Sequence, residues 1–266
     1  MKKSQFKVSL LIIVLMSFIN PAFSEYKREI NFLTTNYCPL ICENEDHEGI
    51  MVDITRAIFE PLGFKINISF RPFKRALQEN TNGHYDGFIG GNKEQLKNNL
   101  FPQYVTTPNR TILYKRSGLN WSYSGPGSLK KVTLVSVKGF KYGNTHIDNF
   151  VAQKNNINLV TVPVGNHIEK MTKLLVKKRG DVFAAGELTT QYKLKASPLR
   201  KKIIPDPAMI GTFHNYISIH RNSKRAKRLI SIINRRFEKM YDDGSLKRIY
   251  LKYGIRAQVD LISVDY

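Results

Sequence analysis

Short apolar segments that run into glycine alternate with stretches of helical periodicity, and this alternation restricts the fold of the chain more than any other feature. Ile30-Asn31-Phe32-Leu33 reads as a first strand. Ile50, Ile54, Ala57, Ile58 and Leu62 recur at helical spacing and stop at Gly63. Phe64 to Phe70 alternates as a second strand, Pro72 to Glu79 as a short helix, and Tyr85-Asp86-Gly87-Phe88-Ile89-Gly90-Gly91 as a third strand entering a glycine turn. The same order returns later. Val132 to Val137 meets Gly139, Asn158 to Pro163 follows, Ile168, Met171, Leu174 and Leu175 mark a helix, and Gly180 to Glu187 repeats the turn and buried strand. Strand and helix in alternation predict an α/β protein with largely parallel sheets. The repeat predicts two similar lobes with a cleft between them. The Gly, Ser and Pro of Ser117 to Ser128 mark the connection. The expected division is a first lobe of residues 25–114 plus 212–266 and a second of 115–211. The last elements expected are a long helix carrying Leu229, Ile233, Phe237 and Met240 on one face and a short one carrying Leu246, Ile249 and Tyr253.

The N-terminus sets the compartment. Lys2, Lys3 and Lys7 precede an apolar run from Val8 to Ile19, and Ala22-Phe23-Ser24 has small residues where a signal peptidase reads. This three-part layout predicts a secretory signal peptide over residues 1–24 and a soluble periplasmic product, since a run of about a dozen residues falls short of a membrane span. Net charge is +21, and +18 once those three lysines leave. A surplus of this size suits nucleic acid, an anionic envelope surface or an acidic ligand. No basic-aromatic RNA motif, zinc finger or basic zipper accompanies it, and Lys224, Arg225, Lys227, Arg228, Arg235 and Arg236 fall on the wet face of the C-terminal helices. A solvated basic surface is therefore expected, with no nucleic-acid partner.

Cys38 and Cys42 are the two cysteines of the chain. An oxidising compartment allows a local disulfide between them, with two reduced thiols as the alternative. Two cysteines do not complete a metal site, and the six histidines lack ligand spacing. Nucleophile elbow, phosphate loop and His-Glu-x-x-His motif are all missing, so no catalysis, metal or cofactor is expected.

Several strings together, Tyr37-Cys38-Pro39, Gly49-Ile50-Met51-Val52-Asp53-Ile54, Arg71-Pro72-Phe73-Lys74-Arg75-Ala76-Leu77 and Gly83 to Gly91, resemble the bacterial extracellular solute-binding proteins of family 3. The resemblance continues through Arg179 to Ala184 and Met240 to Ile249, in order along nearly the whole exported chain. It implies a periplasmic-binding-protein-like fold of type II topology, a small polar ligand at the hinge, and an ABC importer permease as membrane partner. It also exposes a departure. Amino-acid binders of the family carry an arginine shortly after the third strand to hold the ligand carboxylate, and Gly90 to Lys97 contains none; Lys93 or Lys97 supplies charge without the planar fork. The family's acid for the ligand amine falls at Glu187, and Thr35 stands at an acidic position of the first loop.

Candidate ligand contacts are Tyr37 and Phe73 as aromatic walls, and Arg71 and Arg75, four apart, as a grip on an anion. Gly90, Gly91 and Asn92 offer backbone N–H groups; Gly139, Phe140 and Tyr142 form the matching loop of the second lobe; Glu187 completes the set. Asp86 and Asp181 are expected to tie down turns. Two other readings remain open: an envelope-interaction or sensory protein that uses the basic surface, and a periplasmic lyase or dehydratase on the same fold. A monomer is the default.

Overall fold

The computed structural model describes residues 28–43, 46–163, 166–195 and 197–255; the expected signal peptide lies outside them. Strands β1 (Glu29–Thr34), β2 (Lys65–Phe70), β3 (Gly87–Ile89), β4 (Asn99–Leu100) and β10 (Ile217–His220) form one sheet in the order β2-β1-β3-β10-β4. β1 runs parallel to both β2 and β3, and β10 is antiparallel to β3 and β4. Both faces of β1 are covered, which explains its unbroken apolar character. Ile30 and Phe32 join the core beneath helices α1 (Ile50–Phe59), α7 (Ala226–Asp242) and α8 (Ser245–Lys252), while Leu33 packs with Phe88, Leu96 and Ala76 of helix α2 (Phe73–Thr81). Ile50, Ile54 and Ile58, spaced four apart, are all fully buried.

The second sheet has the order β7-β6-β8-β5-β9. It consists of β5 (Thr107–Arg116), β6 (Leu134–Val137), β7 (Leu159–Val162), β8 (Val182–Gly186) and β9 (Ile203–Asn215). A short helix α3 (Pro126–Leu129), α4 (Thr145–Ala152), α5 (His167–Val176) and α6 (Glu187–Lys195) surround it. β6 is parallel to β7 and β8, and the long strands β5 and β9 are antiparallel to one another from Thr107↔Asn215 to Arg116↔Ile203.

The chain crosses between the sheets just before β5 and just after β9. The crossings therefore fall near residues 106 and 216, and not at 114/115 and 211/212 as the sequence suggested. They are stitched together: Thr106 N–H donates to Asn215 O (3.0 Å), and Ile217 N–H to Thr106 Oγ1 (3.0 Å). The Gly/Ser/Pro-rich stretch 117–128 is no connection between units. It is an excursion within the second, packed through Leu119, Trp121 and Tyr123. Trp121 Nε1 donates to Ser128 O and Ser122 Oγ to Asp206 Oδ2. Turn-forming composition marks irregular backbone, wherever that backbone lies in the fold.

Asp86 and Asp181 fill equivalent structural positions. Asp86 Oδ2 accepts Asn31 N–H (3.1 Å), and Arg225 holds its other oxygen at 2.9 Å. Asp181 Oδ2 accepts Thr133 N–H (2.9 Å), with Arg116 3.4 Å away. Each carboxylate joins a strand to the backbone beside it, as expected for turn anchors.

The far end of the chain caps the first helix. Tyr253 Oη accepts Gly49 N–H (2.8 Å) at the start of α1 and donates to Asp53 Oδ2 (3.0 Å), which Lys252 Nζ also meets at 2.7 Å. Burial, with Asp53 beside it, pushes the Tyr253 phenol well above its ordinary range. Gly49 is required here: its φ is +103°, and a Cβ would lie 2.6 Å from Ile41 Cα. Tyr253→Phe leaves a helix-start N–H without its acceptor and is expected to cost about 1–2 kcal/mol. That lowers the thermal midpoint by roughly 2–8 °C, and an unchanged midpoint would remove Tyr253 as the cap. Gly49→Ala is expected to cost more than Tyr253→Phe in the same scan, because it adds backbone strain to a clash with backbone atoms.

Candidate functional site

The loop after β1 turns back on itself and presents Tyr37 toward the second unit. Tyr37 N–H donates to Ile41 O (2.7 Å) and Ile41 N–H to Tyr37 O (3.1 Å), and a disulfide joins Cys38 to Cys42 across the same turn. Both cysteines are buried. The Tyr37 hydroxyl accepts a hydrogen bond from Asn109 Nδ2 (3.1 Å) on β5 and lies beside the Thr189 hydroxyl on α6. Burial raises the Tyr37 phenol above its ordinary range. Asn109 packs against Gly186, where a Cβ would come within 2.4 Å of its Nδ2, so the end of β8 must be glycine for this side chain to sit there. Asn109 Oδ1 is buried without a protein hydrogen-bond partner, a polar atom that is costly to leave unsatisfied.

One step along β5, Arg110 Nε meets Glu187 Oε2 at 2.7 Å. The arginine side chain is 56% exposed and the glutamate 16%, so the pair sits at the rim with its acid turned inward. Gln191 Nε2 donates to the other carboxylate oxygen (3.1 Å). Behind the rim Phe140 lies 5.7 Å from the Tyr142 ring and 6.1 Å from the His167 ring. Burial lowers the His167 pKa, with Lys170 adding to the effect. Tyr37, Phe140, His167, Gly186 and Thr189 line a concavity of about 10 Å³, on the order of one water molecule. A ligand of amino-acid size enters only if these loops part.

The structure thus brings together Tyr37, Phe140, Tyr142 and the neighbourhood of Glu187. Tyr142 is a core residue as well as a lining one: it is 1% exposed, and its hydroxyl accepts Val137 N–H at 2.9 Å. Gly139, at φ +76°, has no atom within 4 Å of where its Cβ would be. The remaining candidates lie outside this lining. Gly90 N–H is taken by Tyr216 O (2.9 Å), and Gly91 O accepts Tyr216 N–H. Asn92 and Gln95 cap each other, each side-chain oxygen accepting the other's backbone N–H. Arg71 and Arg75 converge on Glu79, at 3.3 and 2.6 Å, on the outside of α2, and Phe73 is 39% exposed beside them. Glu79 of α2 satisfies both, Arg75 from the same helix and Arg71 from the segment just before it.

Sequence reasoning missed Asn109, Arg110 and Thr189. A signal was available for the first. Thr107, Asn109 and Thr111 alternate along one strand, and all three are buried, a polar face that a strand keeps only where something polar meets it. Arg110 brings a guanidinium to this rim from β5, while Gly90 to Lys97 holds no arginine.

The model for bacterial extracellular solute-binding proteins, family 3, matches residues 32–256. A search of curated protein sequences finds no match. Among solved structures, a mutant of ArgBP from T. maritima superposes with a TM-score of 0.64 at 14% identity, covering 86% of this chain and 96% of that one. A histidine kinase sensor domain with similarity to periplasmic binding proteins gives 0.65 at 14%, covering 90% and 100%. Lactococcus lactis GlnP substrate binding domain 2, in an open conformation, gives 0.63 at 19%, covering 88% and 98%. At these identities the likeness establishes the fold, that of the periplasmic binding proteins. Among the described residues no helix is long and apolar enough to cross a membrane. With the family match running from within β1 to the end of α8, this chain belongs to the bacterial extracellular solute-binding proteins, family 3.

Proposed function

We propose that this chain captures a small charged or polar solute, amino-acid-like in size, between two lobes that meet at the crossings near residues 106 and 216. In this reading it works outside the cytoplasmic membrane, after removal of residues 1–24, and delivers the closed complex to an ABC importer permease. The observation that carries the proposal is the contact from Tyr37, on the first sheet's loop, to Asn109 and Thr189 of the second, with Arg110 and Glu187 at the rim. A site lined from both units is what coupling of binding to closure requires, because a ligand shifts the open–closed balance only by its differential contacts with the two states. The structural relatives named for arginine or glutamine support an amino-acid-like ligand.

The chain, unfolded and refolded to strip carried-over solute, is to be followed by thermal midpoint against basic, acidic and polar amino acids, dicarboxylates, amines and short peptides. A ligand at a hundred times its dissociation constant adds about 2.7 kcal/mol, which raises the midpoint by roughly 5–10 °C in a chain of this size. A shift from one chemical class supports capture. Silence across the panel in a folded protein turns the reading toward the sensory or envelope role, and turnover of the solute toward an enzyme.

Against the solute so found, Glu187→Ala is expected to weaken binding by about 1–3 kcal/mol. Tyr37→Phe, which keeps the ring and loses the hydroxyl bonded to Asn109, is expected to cost about 1 kcal/mol. Isothermal titration measures both, and unchanged affinity in either variant removes that residue from the site.

A further inference from the structure

The end of the second sheet away from the cleft gathers cations. Phe140, His167 and Glu187 follow the carboxyl ends of the parallel strands β6, β7 and β8, so the amino ends of these strands lie about 13–17 Å away, along four or five residues. Four segments meet at those amino ends, joined by hydrogen bonds. Lys130 and Lys131 lead into β6, and Asn158 ties them to the segment that begins at Lys154: its Nδ2 donates to Lys130 O (3.0 Å) and its O accepts Leu134 N–H (2.9 Å). Asp181 N–H donates to Thr133 O (2.9 Å), which brings in Lys177, Lys178 and Arg179 from the end of α5. Arg116 N–H donates to Asp181 O (3.3 Å) and Ser117 N–H to Lys202 O (2.7 Å), which adds the short 3-10 helix Arg200–Lys202 with its three cations. These nine lysine and arginine residues are all exposed.

The acids of the second unit are engaged. Residues 107–215 contain five. Asp148 accepts Tyr142 N–H, Glu169 pairs with Lys173, and Glu187 pairs with Arg110. Asp206 accepts the Ser122 hydroxyl, and Asp181, which lies among the nine cations, is held by Thr133 N–H and Arg116. The same segments expose aliphatic side chains: Ile157 is 92% exposed, and Val176 and Ile204 are 36% and 38% exposed. Stretches 130–134, 154–158, 176–181 and 199–204 carry no aromatic residue.

We propose that this end of the second unit docks on an anionic membrane surface. Each cation held close to such a surface strengthens attachment by about fivefold. The aliphatic side chains add apolar area to the contact, as an interface between headgroups and acyl chains requires. A nucleic-acid strand would leave those side chains unused and would find no ring among these segments to stack on its bases. Docking by this end keeps the cleft, at the opposite ends of the same strands, clear of the bilayer. The proposal rests on the charge and topology of the second unit and stands or falls apart from solute capture.

The test is co-sedimentation of the exported chain with vesicles of phosphatidylcholine, with or without phosphatidylglycerol, beside a binding titration with polyphosphate as a soluble polyanion. The parent is expected to bind the anionic vesicles, to ignore the neutral ones, and to release as salt rises. K177Q/K178Q/R179Q is expected to lose about tenfold or more in vesicle affinity. K227Q/K239Q/K247Q, which removes the same charge from exposed positions on the helices of the first unit, is expected to stay near the parent. R200Q/K201Q/K202Q, on a separate segment, is expected to repeat the loss and serves if the first variant folds poorly. Ile157→Asn leaves the charge unchanged and is expected to weaken vesicle binding severalfold while polyphosphate binding stays the same. No binding to anionic vesicles overturns the proposal, as do equal losses in the second-unit and control variants, which mark a diffuse charge effect. Unchanged vesicle affinity in Ile157→Asn, or binding to polyphosphate alone, overturns it in favour of a soluble polyanion.

Discussion

The two crossings between the sheets are bonded to each other, and the placement of every cleft residue depends on that. Thr106 serves both strands, its N–H to Asn215 O and its hydroxyl to Ile217 N–H. Tyr216, between β9 and β10, is clipped on both sides to the Gly90-Gly91 turn of the first sheet. The crossings therefore behave as one two-stranded ribbon, and any change in the angle between the units has to be absorbed there. Asn109 and Arg110 lie only three and four residues beyond Thr106, about 10–13 Å along an extended strand. Contacts so near an axis survive a modest rotation. In the proposed opening, Phe140 and His167, deeper in the second unit, part from Tyr37 first.

The few acids are spent on this architecture. Asp86 and Asp181 anchor strands, Asp53 ties α1 to Lys252, Glu48 ties the segment before α1 to Arg56 within it, and buried Asp206 holds the 117–128 excursion through Ser122 with Lys115 nearby. Glu79 takes Arg75 of its own helix and Arg71 just before it. With 42 lysines and arginines against 21 acids, acids held in such ties leave the surplus positive charge to the exterior. The net charge thus describes the surface, and says little about the cleft.

Periodicity made most of the fold legible because it reports burial on one element at a time. Ile50, Ile54 and Ile58 marked α1, and Phe88-Ile89 before two glycines marked β3. It failed where one element's regularity depends on another. β9 is a single strand of 13 residues, yet Pro205, Asp206, Pro207 and Gly211 read as breakers. They are accommodated because β9 pairs with β5 through two register shifts, and because Gly211 passes so close to Tyr142 O and Gly143 O that a Cβ would lie 2.9 Å from each. The site was legible in part for the same reason. Tyr37, Phe140 and Glu187 stand at strand ends, where ligand loops are expected. Asn109 and Arg110 stand inside a strand whose neighbours become known only once the second sheet is assembled. Arg71 and Arg75 failed differently: Glu79, four residues after Arg75, was enough to suggest a pairing within the helix.

The Arg110–Glu187 pair bears on which solutes the proposed cleft can take. With the arginine more than half exposed, the pair is screened and contributes at most about 1 kcal/mol. A solute bearing only a cation competes with Arg110 for Glu187 and leaves the guanidinium to water, which costs little because it is already half hydrated. A solute bearing only an anion recruits Arg110 but strips Glu187, 16% exposed, of its partner, and an acid so far turned inward loses more by standing alone. A zwitterion exchanges one ion pair for two, since its ammonium meets Glu187 while its carboxylate meets Arg110. The geometry therefore ranks zwitterions first, cations second and simple anions last. It does so with an arginine placed on the crossing strand, where it moves with the acid it neutralises.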